Sequence, residues 1–474
     1  MRRLAPATVV FSVLVLVGCS NSVEIDEAEL PEAIQDIQSE EVESASSGLV
    51  FDEEPNWMLS ESPSPIGVCK VPDMRPEEVR HLWRNQVEGD LVGAATVGFP
   101  RKEGSVPTMG DANIIFAKVA FDDAPPSDEV SDEYIREQLG KIQAASEHWS
   151  EGKFRYEYQI VDGWVEVPVD HWDYRIDQTL TGNEDPHKVH LETKDIQFEL
   201  AQLIIDNLPD SVDFEIADMI AIYWSPNVKA FKTGITPGGR PFETPIGEKR
   251  IEFYSPSVYL TNNDGQPFEA KKPNLWKFLG HEFLHSQEFD LHAPGNGWKT
   301  GIGQSTDTDT DSGILSAWDV FAANWFDDSQ VYCAEQEAIE NTQFVKLTPL
   351  EIYGGDKKVG VVRLDESRAL VIESRRPIGL SSGWPERWHG LLAYEVDTVG
   401  EHRDHIAGDC GNDPEIPKWA YYLIPEEAEA QTNCMDPSPA FIKPGMSLGF
   451  EGLEIHLDYS TEDADYLRIE RADD

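Results

Sequence analysis

The chain has 474 residues, with 88 Asp and Glu against 38 Lys and Arg, a formal net charge of −50. That balance excludes nucleic-acid binding through phosphate-neutralising basic patches and suits an exported protein in saline or calcium-rich surroundings. About 400 residues follow the acidic N-terminal stretch, enough for more than one hydrophobic core.

Arg2 and Arg3 precede an apolar run from Val9 to Val17, which has signal-peptide length and is too short to span a bilayer. It ends in Leu16-Val17-Gly18-Cys19, which resembles a bacterial lipobox. The resemblance implies removal of residues 1–18 and lipidation of Cys19, a palmitate-type anchor; the alternative is an ordinary secretory signal with an incidental cysteine. Ser20, standing where Asp would mark inner-membrane retention, favours the outer membrane or cell surface. The expected location is the cell membrane or outer membrane, held by lipid and facing the periplasm or the exterior. Residues 19–65 are rich in Glu, Asp, Ser and Pro, and no Lys or Arg occurs from Leu4 to Cys69. Such a segment cannot bury enough apolar surface to offset its ordering entropy, which predicts a disordered tether. Residues 66–110 follow as an N-terminal segment that one reading makes a pro-segment.

Setting Cys19 aside leaves Cys69, Cys333, Cys410 and Cys434. An even number in an oxidising compartment points to two disulfides among three connectivities. Cys410 with Cys434 closes a short loop and leaves Cys69 with Cys333. A competing reading notes that Cys69-Lys70-Val71-Pro72-Asp73 resembles the cysteine-switch segment of matrix metalloproteinase propeptides, whose thiolate occupies the zinc until activation. The disulfide is preferred.

A first folded region spans 111–335. Ile114–Phe121 reads as a buried strand bounded by acidic and proline turns. Ile135, Leu139, Ile142 and Trp149 then recur near the helical period. Phe154–Pro168 alternates like a strand pair turning at Asp162-Gly163, Ile196, Leu200 and Leu203 mark a second helix, and Met219–Trp224 is another apolar strand. Strands alternating with helices indicate an α/β layer. About fifty residues later comes His281-Glu282-Phe283-Leu284-His285, preceded by Asn274 as an N-cap candidate. On a helix, residues four apart share a face, so His281 and His285 can offer two imidazoles to one Zn2+. Glu282 is placed to take a proton from a metal-bound water, the general base of a peptide hydrolase.

Several segments resemble the immune inhibitor A-like secreted zinc metallopeptidase family. They are Phe121-Asp122-Asp123, Trp149-Ser150-Glu151-Gly152-Lys153-Phe154 and Gly163–Pro168, then Ser316-Ala317-Trp318-Asp319, Trp325–Val331, Val371–Arg376 and Gly390–Asp397. Together they cover roughly Asp111 to Thr398. The resemblance implies a metzincin-like catalytic domain with protein or peptide substrates. The chain departs from the family pattern in three places. Glu288 stands where the family has Gly after the second zinc His, and no Met lies between Met219 and Met435 for the methionine turn. The third ligand is displaced: Asp290 and His292 flank the family position, now Leu291, and a residue further along the chain remains a third candidate.

Asp307, Asp309 and Asp311 set carboxylates at alternate positions, as Ca2+ loops do. The Gly comes late and Trp318 occupies the place of the bidentate Glu, so an acidic surface loop is preferred. The remaining histidines, His456 among them, show no ligand spacing with a nearby Glu base. Residues 336–474 read as all-β, with strands near 345–347, 359–364 and 369–373 and a final pair at 453–457 and 466–469. The expected fold is an α/β (α+β) metzincin-like domain followed by an all-β sandwich-like domain. Two functions follow: a zinc endopeptidase tethered to the bacterial surface, or a non-catalytic surface binding or adhesion lipoprotein on a degenerate protease fold.

Overall fold

The computed structural model describes residues 57–72, 74, 98–99, 106–174, 186–229, 241–255, 275–287, 321, 324–381, 387–399, 420–423, 425 and 440–472. In chain order its strands and helices are β1 (Gly110–Phe121), α1 (Asp132–Trp149), β2 (Phe154–Val167), α2 (Pro186–Asp206), β3 (Met219–Trp224), the hairpin β4 (Phe242–Thr244) and β5 (Gly247–Lys249), β6 (Glu252–Tyr254) and α3 (Leu275–Ser286). Then follow β7 (Val331–Glu335), β8 (Gln343–Leu347), β9 (Val359–Arg363), β10 (Arg368–Arg375), β11 (Gly390–Asp397) and β12 (Ala420–Tyr422). The last four are β13 (Phe441–Ile442), β14 (Ser447–Phe450), β15 (Leu453–Ser460) and β16 (Asp465–Arg471). Few helices and many strands in separate sheets make this an α+β protein.

Sheet 1 has the order β2-β1-β3-β6, every pair parallel. Alternation along β1 assigns its faces. Ile115, Ala117 and Val119 pack with Leu200, Ala201 and Ile204 of α2. Ile114 and Phe116 share a cluster with Ile135, Leu139 and Ile142 of α1 and with Trp276, Leu279 and Phe283 of α3. Ser131 caps α1, its hydroxyl accepting from Tyr134 N–H at 3.1 Å, a partner for one of the orphan donors of the first turn. The expected reversal at Asp162-Gly163 does not occur. β2 runs straight through in parallel with β1, and the register shifts between Phe116 and Lys118. Gly163, at φ +75°, is therefore a bulge residue, and its N–H donates to Asp132 Oδ2 at 3.1 Å. Asp132 also pairs with Lys118, buried within β1.

Sheet 2 has the order β12-β11-β10-β9-β7, with β13 beside β11, and sheet 3 the order β14-β15-β16-β8. They pack face to face: Tyr332, Val362, Leu370, Ile372 and Leu391 of sheet 2 meet Val345, Leu347, Ile455, Leu467 and Ile469 of sheet 3. The other face of sheet 2, with Val359, Val361, Val371 and Tyr394, belongs to the same cluster as α1 and α3. The layers thus run α2, sheet 1, the α1 and α3 helices, sheet 2, sheet 3. Because β7 pairs in parallel with β9, the last strand before residue 336 is built into the β-rich part.

A polar joint crosses between the α/β and β-rich parts at Trp149–Phe154. Glu151 adopts φ +52° and Gly152 φ +76°, so the chain turns sharply into β2. Glu151 accepts from Gly354 N–H at 3.0 Å and from Gln330 Nε2 at 2.6 Å, while Lys153 Nζ donates to Trp325 O at 2.5 Å and Gln330 Oε1 at 2.8 Å. His148 Nε2 donates to Glu351 O at 3.1 Å. Burial holds this imidazole below its ordinary value of 6.5, with the Glu351 carbonyl pulling the other way.

Cys69 and Cys333 form a disulfide with Cα atoms 5.9 Å apart and a sequence separation of 264, so the Cys69 thiolate is not free to act as a cysteine switch. Ahead of it, residues 57–65, which composition groups with the acidic tether, lie along the edges of both sandwich sheets. Ser60 N–H donates to Phe344 O at 2.8 Å in β8, and Phe344 N–H returns a bond to Ser60 Oγ at 3.0 Å. Ser62 Oγ accepts from Cys333 N–H and Ser64 Oγ from Glu335 N–H, both at 3.2 Å in β7. Trp57 packs on Phe344 and Tyr466, with ring centroids 5.1 and 6.0 Å away.

Two predictions follow from these contacts. Replacing Cys69 and Cys333 together by Ser should lower unfolding free energy in denaturant by about 2–5 kcal/mol, because the bond closes a long loop; a change under about 1 kcal/mol would refute a stapling role. The second concerns His148. Its folded-state pKa lies below the unfolded one, so on acidification below about 6.5 the unfolded chain takes up the proton first and stability falls. Urea midpoints followed from neutral pH down through that window should drop less steeply for His148→Gln than for the wild type, and parallel curves would overturn the assignment.

Candidate metal helix and its supports

His281, Glu282 and His285 all fall on α3. Among the described side chains of α3, Trp276, Leu279, Phe283, Leu284 and Ser286 are buried, as is Gln287 just beyond its end; on a helix, positions 281 and 285 are one turn apart and share a face. Two histidines one turn apart, with a Glu beside the first, make a donor set suited to zinc.

Both ends of α3 are pinned by buried glutamines. At the N-terminal end, Gln138 of α1 reaches across, and its Oε1 accepts from Trp276 N–H at 3.1 Å. A first-turn amide that has no partner inside its own helix is thereby satisfied from a neighbouring one. At the other end Gln287, two residues beyond His285, is fully buried. Tyr156 OH donates to its Oε1 at 2.7 Å, and its Nε2 donates to Pro107 O at 2.6 Å. Burial pushes the Tyr156 hydroxyl well above the usual tyrosine range, so it stays protonated as the donor. Between the clamps, Phe283 is ringed by Tyr156, Tyr158 and Tyr254 at 5.6, 6.5 and 6.5 Å. Gly280 marks the approach to α1: a Cβ there would sit 3.6 Å from Ile142 Cγ2, an ordinary contact.

Of the other expected site residues, Asp290, His292, Asp307, Asp309, Asp311, Cys19, Cys410 and Cys434 lie outside the described residues, as does Asn274. Cys69 and Cys333 are brought together as the disulfide. Two histidines have roles that spacing did not reveal. His171 is buried after β2: its N–H and Nδ1 both donate to Asp123 Oδ1, at 2.9 and 2.8 Å, and its Nε2 accepts from Lys229 N–H at 3.0 Å. The bonds to His171 outweigh burial and hold the Asp123 carboxyl below its usual range. These bonds tie together the loops leaving the C-terminal ends of β1, β2 and β3. His456 stands with Glu454 and Glu470 as one group of metal-ligand type among the described residues. The Glu-x-His alternation was visible in the sequence, but Glu470 joins it only through strand pairing.

No protein-family model matches this chain, and no curated protein matches it.

The clamp makes a direct prediction. Tyr156→Phe leaves the buried Gln287 Oε1 without its donor, which should cost about 1–3 kcal/mol of stability and speed amide exchange in the last turn of α3. Unchanged stability and exchange would mean that the bond does not fix the helix end.

Proposed function

We propose that this chain is a zinc-dependent endopeptidase of metzincin-like type, held at the bacterial surface by a lipid on Cys19. The observation that carries the reading is that His281-Glu282-Phe283-Leu284-His285 lies on one continuous helix, where residues four apart share a face. In this reading His281 and His285 hold the metal, with Asp290 or His292 as candidates to complete the set. Zinc, when bound, supplies Lewis acidity that acidifies a coordinated water and polarises the scissile carbonyl. Glu282 accepts the proton of the attacking water and delivers it to the departing amine. The clamps at Gln138 and Gln287 keep the helix from shifting as substrate binds, which supports precise placement of the catalytic groups. The order of family-like segments adds support.

A second reading, a surface-binding lipoprotein on a degenerate protease fold, is favoured by Glu288 in the turn position and by the missing methionine. One experiment separates the two. Purified protein should carry about one zinc at this helix, and His281→Ala or His285→Ala should remove it. Glu282→Gln should retain the metal yet cleave an unfolded protein substrate about 10²-fold more slowly or worse. Zinc-loaded wild type that cleaves no faster than Glu282→Gln across a broad peptide library would replace the protease with the binding protein.

A further inference from the structure

On the outer face of sheet 3, β15 and β16 pair so that Glu454 stands directly opposite Glu470 and His456 directly opposite Arg468. Two like charges facing each other across strands destabilise a sheet. Here the imidazole of His456 lies between them, its Nε2 3.1 Å from Glu454 Oε2 and 3.3 Å from Glu470 Oε1. Thr342 Oγ1 donates to Glu470 Oε2 at 3.0 Å and orients that carboxylate from outside the group. The other charges on this face are Asp458 and Arg468, bonded to each other at 2.5 Å, with Arg468 Nη1 3.5 Å from Glu470 Oε1, and Lys346 of β8, whose Nζ lies 5.4 Å over the Tyr466 ring. Three carboxylates thus share the face with one guanidinium and one ammonium, and the carboxylates remain in excess.

We propose that Glu454, His456 and Glu470 form a binding site for a borderline divalent cation of the zinc class, separate from the α3 helix. Size is the first argument. A tetrahedral zinc with bonds of about 2.0–2.1 Å has ligand–ligand edges of about 3.3–3.4 Å, close to the 3.1 and 3.3 Å separations around Nε2. The donor set is the second. One imidazole with two carboxylates suits zinc, whereas calcium and magnesium prefer all-oxygen shells. The cation takes the place of the hydrogen bond between His456 and Glu454 and relieves the opposed carboxylates, and water completes its shell. The third argument is orientation from outside the site, by Thr342 on Glu470, which metal centres use to fix their ligands.

The test is site-resolved and independent of the α3 histidines. The full chain is treated with diethylpyrocarbonate, with and without zinc, and modification of His456 is followed by peptide mapping, which separates it from His281 and His285. Zinc should slow modification of His456 by about tenfold or more, and equal concentrations of calcium or magnesium should not. Glu470→Gln, with the fold checked by circular dichroism, should remove the protection, and Glu454→Gln serves as the second variant. Equal modification with and without zinc in the wild type overturns the site whether or not the variants fold. So does equal protection by calcium, which would reduce the group to a charged patch, and so does protection that survives both substitutions.

Discussion

Sheet 2 is covered on both faces, and the rest of the molecule is arranged around that constraint. Every residue of β10 and of β11 is buried. A strand with one wet face would alternate apolar and polar residues, whereas these two need a second layer on each side. Sheet 3 supplies one cover and the α1 and α3 helices with sheet 1 supply the other. The helix carrying the metal motif is therefore part of the same core as the sandwich. Substitutions in β9 or β10 on the face toward those helices disturb the same core that α3 belongs to.

Double burial also decides how the charges in these strands are held. Arg375 bonds to Glu351 at 2.7 Å and to Glu373 at 2.8 Å, and Tyr394 OH donates to Glu373 at 3.2 Å. Arg376 makes a two-pronged pair with Asp465 of β16, which also accepts from Ser374 at 2.7 Å. Burial disfavours the Arg375 charge, yet Glu351 and Glu373 together hold it more firmly protonated than an ordinary arginine. Removing one partner of such a set leaves an uncompensated buried charge, at about 3–5 kcal/mol. Glu351 sits beside the residues that receive the Trp149–Phe154 turn, so the network and the joint are neighbours across the same boundary.

Much of this was legible in the residues. The apolar runs at 114–121 and 219–224 became β1 and β3, the period through Ile135, Leu139 and Ile142 became α1, and the metal motif fell on a helix. The sequence misled at Asp162-Gly163, where a turn dipeptide serves as a bulge because pairing to β1 resumes beyond it. Distant partnerships were largely hidden. Cys69 with Cys333 followed from giving Cys410 the nearby Cys434 as its partner, but nothing local announced that Gln138 would cap a helix far along the chain, or that Tyr156 would hold Gln287. His456 and Glu470 meet because β15 and β16 have one particular register, and a shift by one residue would put them on opposite faces. The serines at 60, 62 and 64 looked like linker composition, yet their hydroxyls occupy the edge groups of β7 and β8.

That serine strap gives the fold a mechanical property. A pull on the chain from the N-terminal side of Trp57 meets the sandwich along its edge, where the strap's bonds to β8 and β7 lie in succession. Those bonds can peel one after another, but the covalent link at Cys69 ends the process. The thirteen residues from Trp57 to Cys69 span at most about 45 Å when fully extended, so the strap acts as a short extensible leash with a fixed stop. Beyond it the load passes into β7 at the border of sheet 2, whose Val331 and Cys333 share a core with α1 and α3.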